Sequence, residues 1–378
     1  MIVAKVMQIG INGRSKINYR RAMNLLPKKP ILIQSVRDWI DLNPDKINYI
    51  EELVTPESDV YSLPKTISGE KLCLNKGQEP HSIFKRYIAE IKNVKLTNLH
   101  GQLLLEETQI PIETGWIRDN INPSKRPYRN SFFKIKVLTD GPYFSCLLFW
   151  SQEYYHWHCD ILQRLYDVLQ RLPNDTKFIV PYKLSDWKIE SLKAMGITKE
   201  QLYLYDGKNI LSIKRFIYAP PVGMTGDNFS VSAQWLSQKL RVDKLSKPRK
   251  IYISRSKAKS RHLINEGSLM KILETYGFEK VVAEDLSYNE QRQLFASAEV
   301  IVAPHGAGVT NMLFCNQSCT IIEIFEPNSV RRCYWTLANA LEFPYYCHVG
   351  KAVENDFEYN LSIDVTEFMT LLQSKQIV

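Results

Sequence analysis

No apolar stretch of this chain is long enough to span a membrane. Its start, MIVAKVMQIGINGRSK, has a short apolar patch but no long apolar core and no small-residue cleavage site, so no leader is expected. No cysteine belongs to a C-x-x-C pair. The seven, at 73, 146, 159, 315, 319, 333 and 347, are odd in number and scattered. That excludes a disulfide framework and predicts reduced thiols in a cytoplasmic protein. Metal-ligand spacing is scarce as well. Only His156, His158 and Cys159 lie close together, and they share a helix face poorly, so no metal is expected. There is no low-complexity tract and no repeat period, which argues against disorder and against a solenoid.

Acidic residues are outnumbered. Lys and Arg total 49 against 40 Asp and Glu, a net charge of +9. This suits an anionic partner: nucleotide phosphates, a lipid diphosphate, an anionic membrane surface or nucleic acid. It equally suits a basic solvated surface. No nucleic-acid motif accompanies the charge, so no nucleic-acid partner is expected. With 378 residues, 44% of them hydrophobic, the chain can build two domains.

Along the first hundred residues prolines punctuate weak signals. Val36–Ile40 reads as a helix, and Lys46–Leu53 and Lys71–Leu74 as strands. His81–Lys92 reads as a helix, and Lys95–Leu105 as a strand pair turning at Asn98–Gly101. Trp116 to Asn130 reads as an exposed basic loop. From Asp140 the pattern sharpens. Asp140-Gly141-Pro142 predicts a turn and Tyr143–Trp150 a strand. Tyr154 to Leu172 is a helix by its apolar spacing. Strands at Lys177–Val180, Gln201–Tyr205 and Ile213–Ala219 alternate with helices at Asp186–Met195 and Phe229–Val242, which predicts a parallel sheet.

Leu245 to Arg249 is a short basic linker, and it sets the expected boundary between residues 1–244 and 245–378. Beyond it strand and helix alternate about five times, as in a doubly wound sheet. Strands are expected at Lys250–Ser254, Phe278–Ala283, Val300–Ala303, Thr320–Ile324 and Pro344–Val349. Helices are expected at Asn265–Tyr276, Ser287–Ala298, Arg331–Leu341 and Ile363–Ser374, the last of them a candidate to pack back on the first domain.

The most informative stretch is Glu299 to Pro327. A β-branched run meets Pro304, then His305-Gly306-Ala307-Gly308, then an apolar segment with helical spacing. Glycines let the backbone approach a ligand, and free N–H groups opening a helix attract an anion. Ligands in open parallel sheets bind beyond the carboxyl ends of the strands. There stand Arg255, Ser256 and Arg261, then Glu284 and Asp285, then the glycine turn, with Glu323 and Glu326 further on. Arginines neutralise a diphosphate with paired donors, and a carboxylate can accept the two hydroxyls of a ribose.

Ile251-Tyr252-Ile253-Ser254-Arg255, Arg261, Asn265-Glu266, His305-Gly306-Ala307-Gly308-x-Thr310-Asn311 and Ile322-Glu323-Ile324 together resemble glycosyltransferase family 61. Tyr155-His156-Trp157-x-x-Asp160 resembles its upstream signature. The likeness covers roughly Gly141 to Val349. It departs at His158-Cys159, where the family tends to be apolar, and at Gln163, where it often has Pro. The resemblance implies an α/β, GT-B-like fold: two Rossmann-like doubly wound domains facing across a cleft. The acceptor would lie on 1–244 and the donor on 245–378. It implies an inverting transfer from a nucleotide-diphosphate sugar, UDP-linked by family weight, to a saccharide or lipid-linked saccharide in surface polysaccharide synthesis. No cofactor and no metal are implied, and the chain has no Asp-x-Asp, the usual metal handle of the other glycosyltransferase fold. Peripheral association with the inner face of an anionic membrane fits the charge.

An inverting transfer needs a base and a stabilised leaving group. His156 and Asp160, four residues apart, are the candidate bases: either His156 oriented by Asp160, or Asp160 directly. Both also read as an ordinary helix-surface pair. Arg255, Arg261, His305, Gly306, Ala307 and Gly308 are the candidates for the donor diphosphate. Glu323, Thr310 and Asn311 are those for the nucleoside. His305 also reads as a buried, hydrogen-bonded core histidine, Glu323 as a carboxylate held by a backbone network, and Thr310 and Asn311 as mere helix caps. An epimerase of the same architecture and a non-catalytic module holding a nucleotide sugar or anionic polymer remain open.

Overall fold

Side chains of a strand alternate between two faces, and Ile251-Tyr252-Ile253 shows what this does here. Ile251 and Ile253 pack toward the first sheet, while Tyr252 joins a separate cluster behind. The computed structural model describes residues 31–54, 66–69, 85–106, 108–114, 134–243, 247–316 and 318–378.

The second sheet has five strands in the spatial order Phe278–Val281, Arg249–Ile253, Ala298–Pro304, Thr320–Phe325, Tyr345–Val349. All its pairings are parallel. Numbered along the chain this is 2-1-3-4-5, the order of doubly wound flavodoxin-like sheets, with its switch point between the first and third strands. The helices Glu266–Leu273 and Val365–Ser374 cover its outer face through Leu269, Leu273, Phe368 and Leu372. The last helix therefore packs on its own sheet and does not return to the first half.

The first sheet is mixed, which corrects the all-parallel expectation. Its path runs Ile47–Glu52, Tyr87–Leu96, Ile210–Tyr218, Ile135–Ser145, Lys177–Pro181, Leu202–Tyr205, with Leu103–Leu104 beside Tyr87–Leu96. The last four strands of that path are parallel; the first two pair antiparallel. The expected helix at His81–Lys92 is a strand over its described part, Tyr87–Leu96. Tyr87, Ile88, Ala89 and Ile91 are buried on two faces, and a strand covered on both sides has no two-residue period to reveal it. Nor is Asp140-Gly141-Pro142 a turn. The strand Ile135–Ser145 runs through it as a bulge, with the register shifting between Leu138 and Pro142 and Gly141 at φ +133°. The turn at Asn98–Gly101 forms as read. The expected strand at Lys71–Leu74 and loop at Trp116–Asn130 lie outside the described residues, as does part of the linker 245–249.

Between the sheets lies a layer of helices, chiefly the run from Tyr154, Ser230–Leu240 and Cys333–Ala340. One apolar cluster joins Ile88, Phe144 and Ile217 of the first sheet to Ile251, Ile301 and Ile321 of the second. The molecule is an α/β protein whose two sheets share a core.

Candidate active site

The expected helix from Tyr154 is broken. It runs as a turn Tyr154–His156, a π-turn Trp157–Ile161, a 3-10 turn Leu162–Arg164 and a turn Leu165–Val168. His158 Nδ1 donates to Tyr154 O at 2.8 Å. A regular helix would give that carbonyl to the backbone N–H of His158, so the side chain competes with the ladder. Such wide turns gather at functional sites. Here the turn holds His156 Nδ1 2.7 Å from Asp160 Oδ2, side chains partly exposed.

A third residue completes this group. Thr225 Oγ1 donates to Asp160 Oδ2 at 2.5 Å and lies 3.1 Å from His156 Nδ1. Thr225 follows the strand Ile210–Tyr218; His156 follows Ile135–Ser145. Those two strands are neighbours whose onward connections diverge, so this is the switch point of the first sheet. A buried ion pair fixes the Thr225 loop. Arg332 Nε donates to Asp227 Oδ1 at 2.7 Å, and Arg332 Nη2 donates to Thr225 O at 3.0 Å.

The switch point of the second sheet faces the first. After Arg249–Ile253 comes Arg255, whose Nε and Nη2 donate to Ser260 O, at 3.2 and 2.9 Å. After Ala298–Pro304 come His305 and Gly306. A Cβ on Gly306 would collide with the Arg255 guanidinium, and one on Gly308 would sit 2.9 Å from Ile253 Cγ2. The glycines therefore provide room, as read, although the helix they open, Ala307–Phe314, is 3-10. Arg261 is held in the left-handed region at φ +61°, where a non-glycine residue is strained, with its N–H donating to Glu358 O. Among the described residues neither Arg255 nor Arg261 has a carboxylate partner. Burial, then the charge of Arg261, pushes Arg255 down to about 10.

His156, Thr225, Arg261, His305, Gly306 and Ala307 line one cleft of about 340 Å³, together with Trp150, Glu153, Tyr334 and Arg331. Sequence reading missed Thr225, Arg331 and Trp150. Thr225 and Arg331 both follow strand ends, so the rim rule that singled out Arg255 reaches them too.

The nucleoside candidates are placed elsewhere. Glu323 is fully buried beneath the turn. One oxygen accepts from His305 Nδ1 and the other from Tyr345 Oη, at 2.6 Å for the latter. A buried carboxylate needs such partners, and both of its oxygens are taken, so it does not present itself to a ribose. Thr310 and Asn311 are fully buried too. Asn311 Oδ1 accepts from Tyr154 Oη at 2.7 Å and its Nδ2 donates to Gln291 Oε1 at 2.9 Å, tying the halves together. His305 stacks on Phe325 at 5.3 Å. Burial lowers its pKa, with Arg261 and Arg255 adding to the effect against the opposing pull of Glu323. Among the described residues no three His, Cys, Asp or Glu side chains are arranged to hold a metal.

Residues 154–322 match the glycosyltransferase 61 family. A stretch of 93 residues is 32% identical to the EGF domain-specific O-linked N-acetylglucosamine transferase of Drosophila melanogaster, covering 23% of this chain and 17% of that protein. The match thus spans only a small part of the curated relative. Most of the residues that line the cleft, from Tyr154 to Ala307, fall within the segment that matches this family.

Proposed function

We propose that the chain is an inverting, metal-independent glycosyltransferase that moves a sugar from a nucleotide-diphosphate sugar to a saccharide. The observation that carries this reading is the meeting of two switch points in one cleft. One brings a His–Asp–Thr group and the other brings arginines with no carboxylate partner. In this reading the two halves act as the acceptor and donor domains, 1–244 and 245–378, of a GT-B-like arrangement. Asp160 accepts a hydrogen bond from Nδ1–H of His156, whose Nε2 takes the proton of the acceptor hydroxyl as it attacks the anomeric carbon. Thr225 holds Asp160 in place. Arg255, Arg261 and the backbone from Gly306 to Gly308 stabilise the departing diphosphate. Trp150, stacked on His156 at 4.8 Å, offers a ring face at the acceptor side.

The donor is proposed to be UDP-linked, and the name of the fly relative makes N-acetylglucosamine one candidate sugar. The acceptor is proposed to be a growing surface polysaccharide, free or lipid-linked, with the net charge of +9 favouring an anionic membrane face. Among the described residues no helix is long and apolar enough to cross a membrane.

The test is a panel of UDP-, GDP- and CDP-sugars, with nucleotide release followed with and without saccharide acceptors in the presence of EDTA. Release that requires an acceptor supports transfer. Binding without release under every acceptor, unaltered by Asp160→Asn, would favour a sugar-nucleotide binding module instead.

A further inference from the structure

His305 stands between two kinds of charge. Behind it Glu323 accepts from Nδ1, and Glu323 is itself pinned by Tyr345 Oη. Arg255 and Arg261 act on it from the loop after Arg249–Ile253. From the helix Cys333–Ala340 comes Tyr334, its ring 5.3 Å away, and Cys333 lines the same cleft. Arg331, Glu153 and His156 line that cleft as well, His156 with Asp160 at its Nδ1. His305 Nε2 has no hydrogen-bond partner among the described residues.

This arrangement is balanced for the empty cleft and unbalanced once an anion enters. Two arginines without carboxylates oppose a third positive charge on His305, and its burial opposes it further. A diphosphate seated on them neutralises both. The imidazole would then lie with a carboxylate at Nδ1 and phosphate oxygens on its open side, and opposite charges on both sides favour imidazolium.

Resting on the donor-site reading above, we infer that a nucleotide-diphosphate sugar binds with uptake of one proton from solvent, held at Nε2 of His305. Glu323 is then the positioning residue that fixes the tautomer: with Nδ1–H committed to the carboxylate, Nε2 is the atom that gains the proton. Donor binding becomes pH-linked, although the diphosphate of a nucleotide sugar carries no proton that titrates near neutrality.

Calorimetry tests this, with UDP-glucose and UDP-N-acetylglucosamine as probes, no acceptor, at pH 7.5, in buffers of different ionisation enthalpy. The slope of binding enthalpy against buffer enthalpy gives the protons taken up; about one per site is expected. The dissociation constant should rise by about tenfold per pH unit above neutrality. His305→Gln keeps a hydrogen-bonding group that cannot titrate; it should still bind, with no uptake and a flat pH profile. His156→Gln should keep the uptake. Binding with no uptake in the wild type, or uptake that persists in His305→Gln, overturns the inference while leaving the donor site standing. Failure of both probes and of the whole nucleotide-sugar panel to bind overturns the donor-site reading and this inference with it.

Discussion

Gly306 has an extended backbone, φ 178°, which any residue adopts, so what it supplies is room. The atom that a Cβ would strike is the tip of a flexible side chain, the Arg255 guanidinium. Gly306→Ala should therefore push Arg255 aside at little cost to the fold. A melting temperature near that of the wild type is expected, with nucleotide-sugar affinity weakened by about tenfold or more through the lost charge-assisted bonds. Calorimetry and thermal unfolding on the same sample check both halves of that statement. Asp160→Asn, by contrast, should leave donor affinity intact and cut turnover by about a hundredfold to ten-thousandfold. At this scale the sequence was most readable where a residue follows a predicted strand. Of the residues singled out by that rule, Arg261, His305, Gly306 and Ala307 line the cleft, and Arg255 lies against Gly306. For Glu323, an acidic residue in an apolar run says only that a partner exists. That the partners are His305 and Tyr345 depends on a pairing of neighbouring strands, Thr320–Phe325 with Tyr345–Val349.

The elements were legible where they alternate simply. The second sheet and its helices formed close to their expected bounds, and a capping box of Ser287 and Glu290 opens the helix Tyr288–Phe295. The broken run from Tyr154 was not legible, because its apolar spacing is that of a regular helix and the disturbance comes from His158, a buried polar side chain. Its other ring nitrogen, Nε2, lies 2.9 Å from Tyr288 Oη, so the same residue also fastens this run to the second half. The neighbouring helix Asp186–Ala194 carries Lys188, 2% exposed, with Nζ 5.1 Å from the ring centroids of both Trp157 and Trp187 and donating to Gln152 Oε1. Burial pushes this lysine down to about 8. An unfolded lysine titrates near 10.4, so between those values the unfolded chain binds more protons and stability rises with pH. Below about 8 both states are charged and the penalty is constant. Denaturation of wild type and Lys188→Met from pH 7 to 10 should show the wild type gaining on the variant across that window. Parallel pH profiles would refute the assignment.

For the whole molecule, the shared core has a mechanical meaning. Leu236, fully buried on the helix Ser230–Leu240, belongs to the cluster that touches both sheets. The halves should thus unfold together: hydrogen exchange at Ile217 and at Ile301 should report the same opening free energy. Leu236→Ala should lower both by about 2–5 kcal/mol. Two separated transitions would show that the halves are independent. None of this was visible in the linear order of residues, which names neighbours along the chain and not which sheet a helix serves. Strand order had the same fate, and with it the meeting of the two switch points.

Arg261 leaves one more mark on the molecule. Its left-handed backbone is a conformation that a glycine would hold without strain. Arg261→Gly should hold or raise the melting temperature, by a free energy on the order of 1 kcal/mol, while donor affinity falls. Selection for heat resistance alone would then discard this arginine, and a hardier but idle protein would be the result.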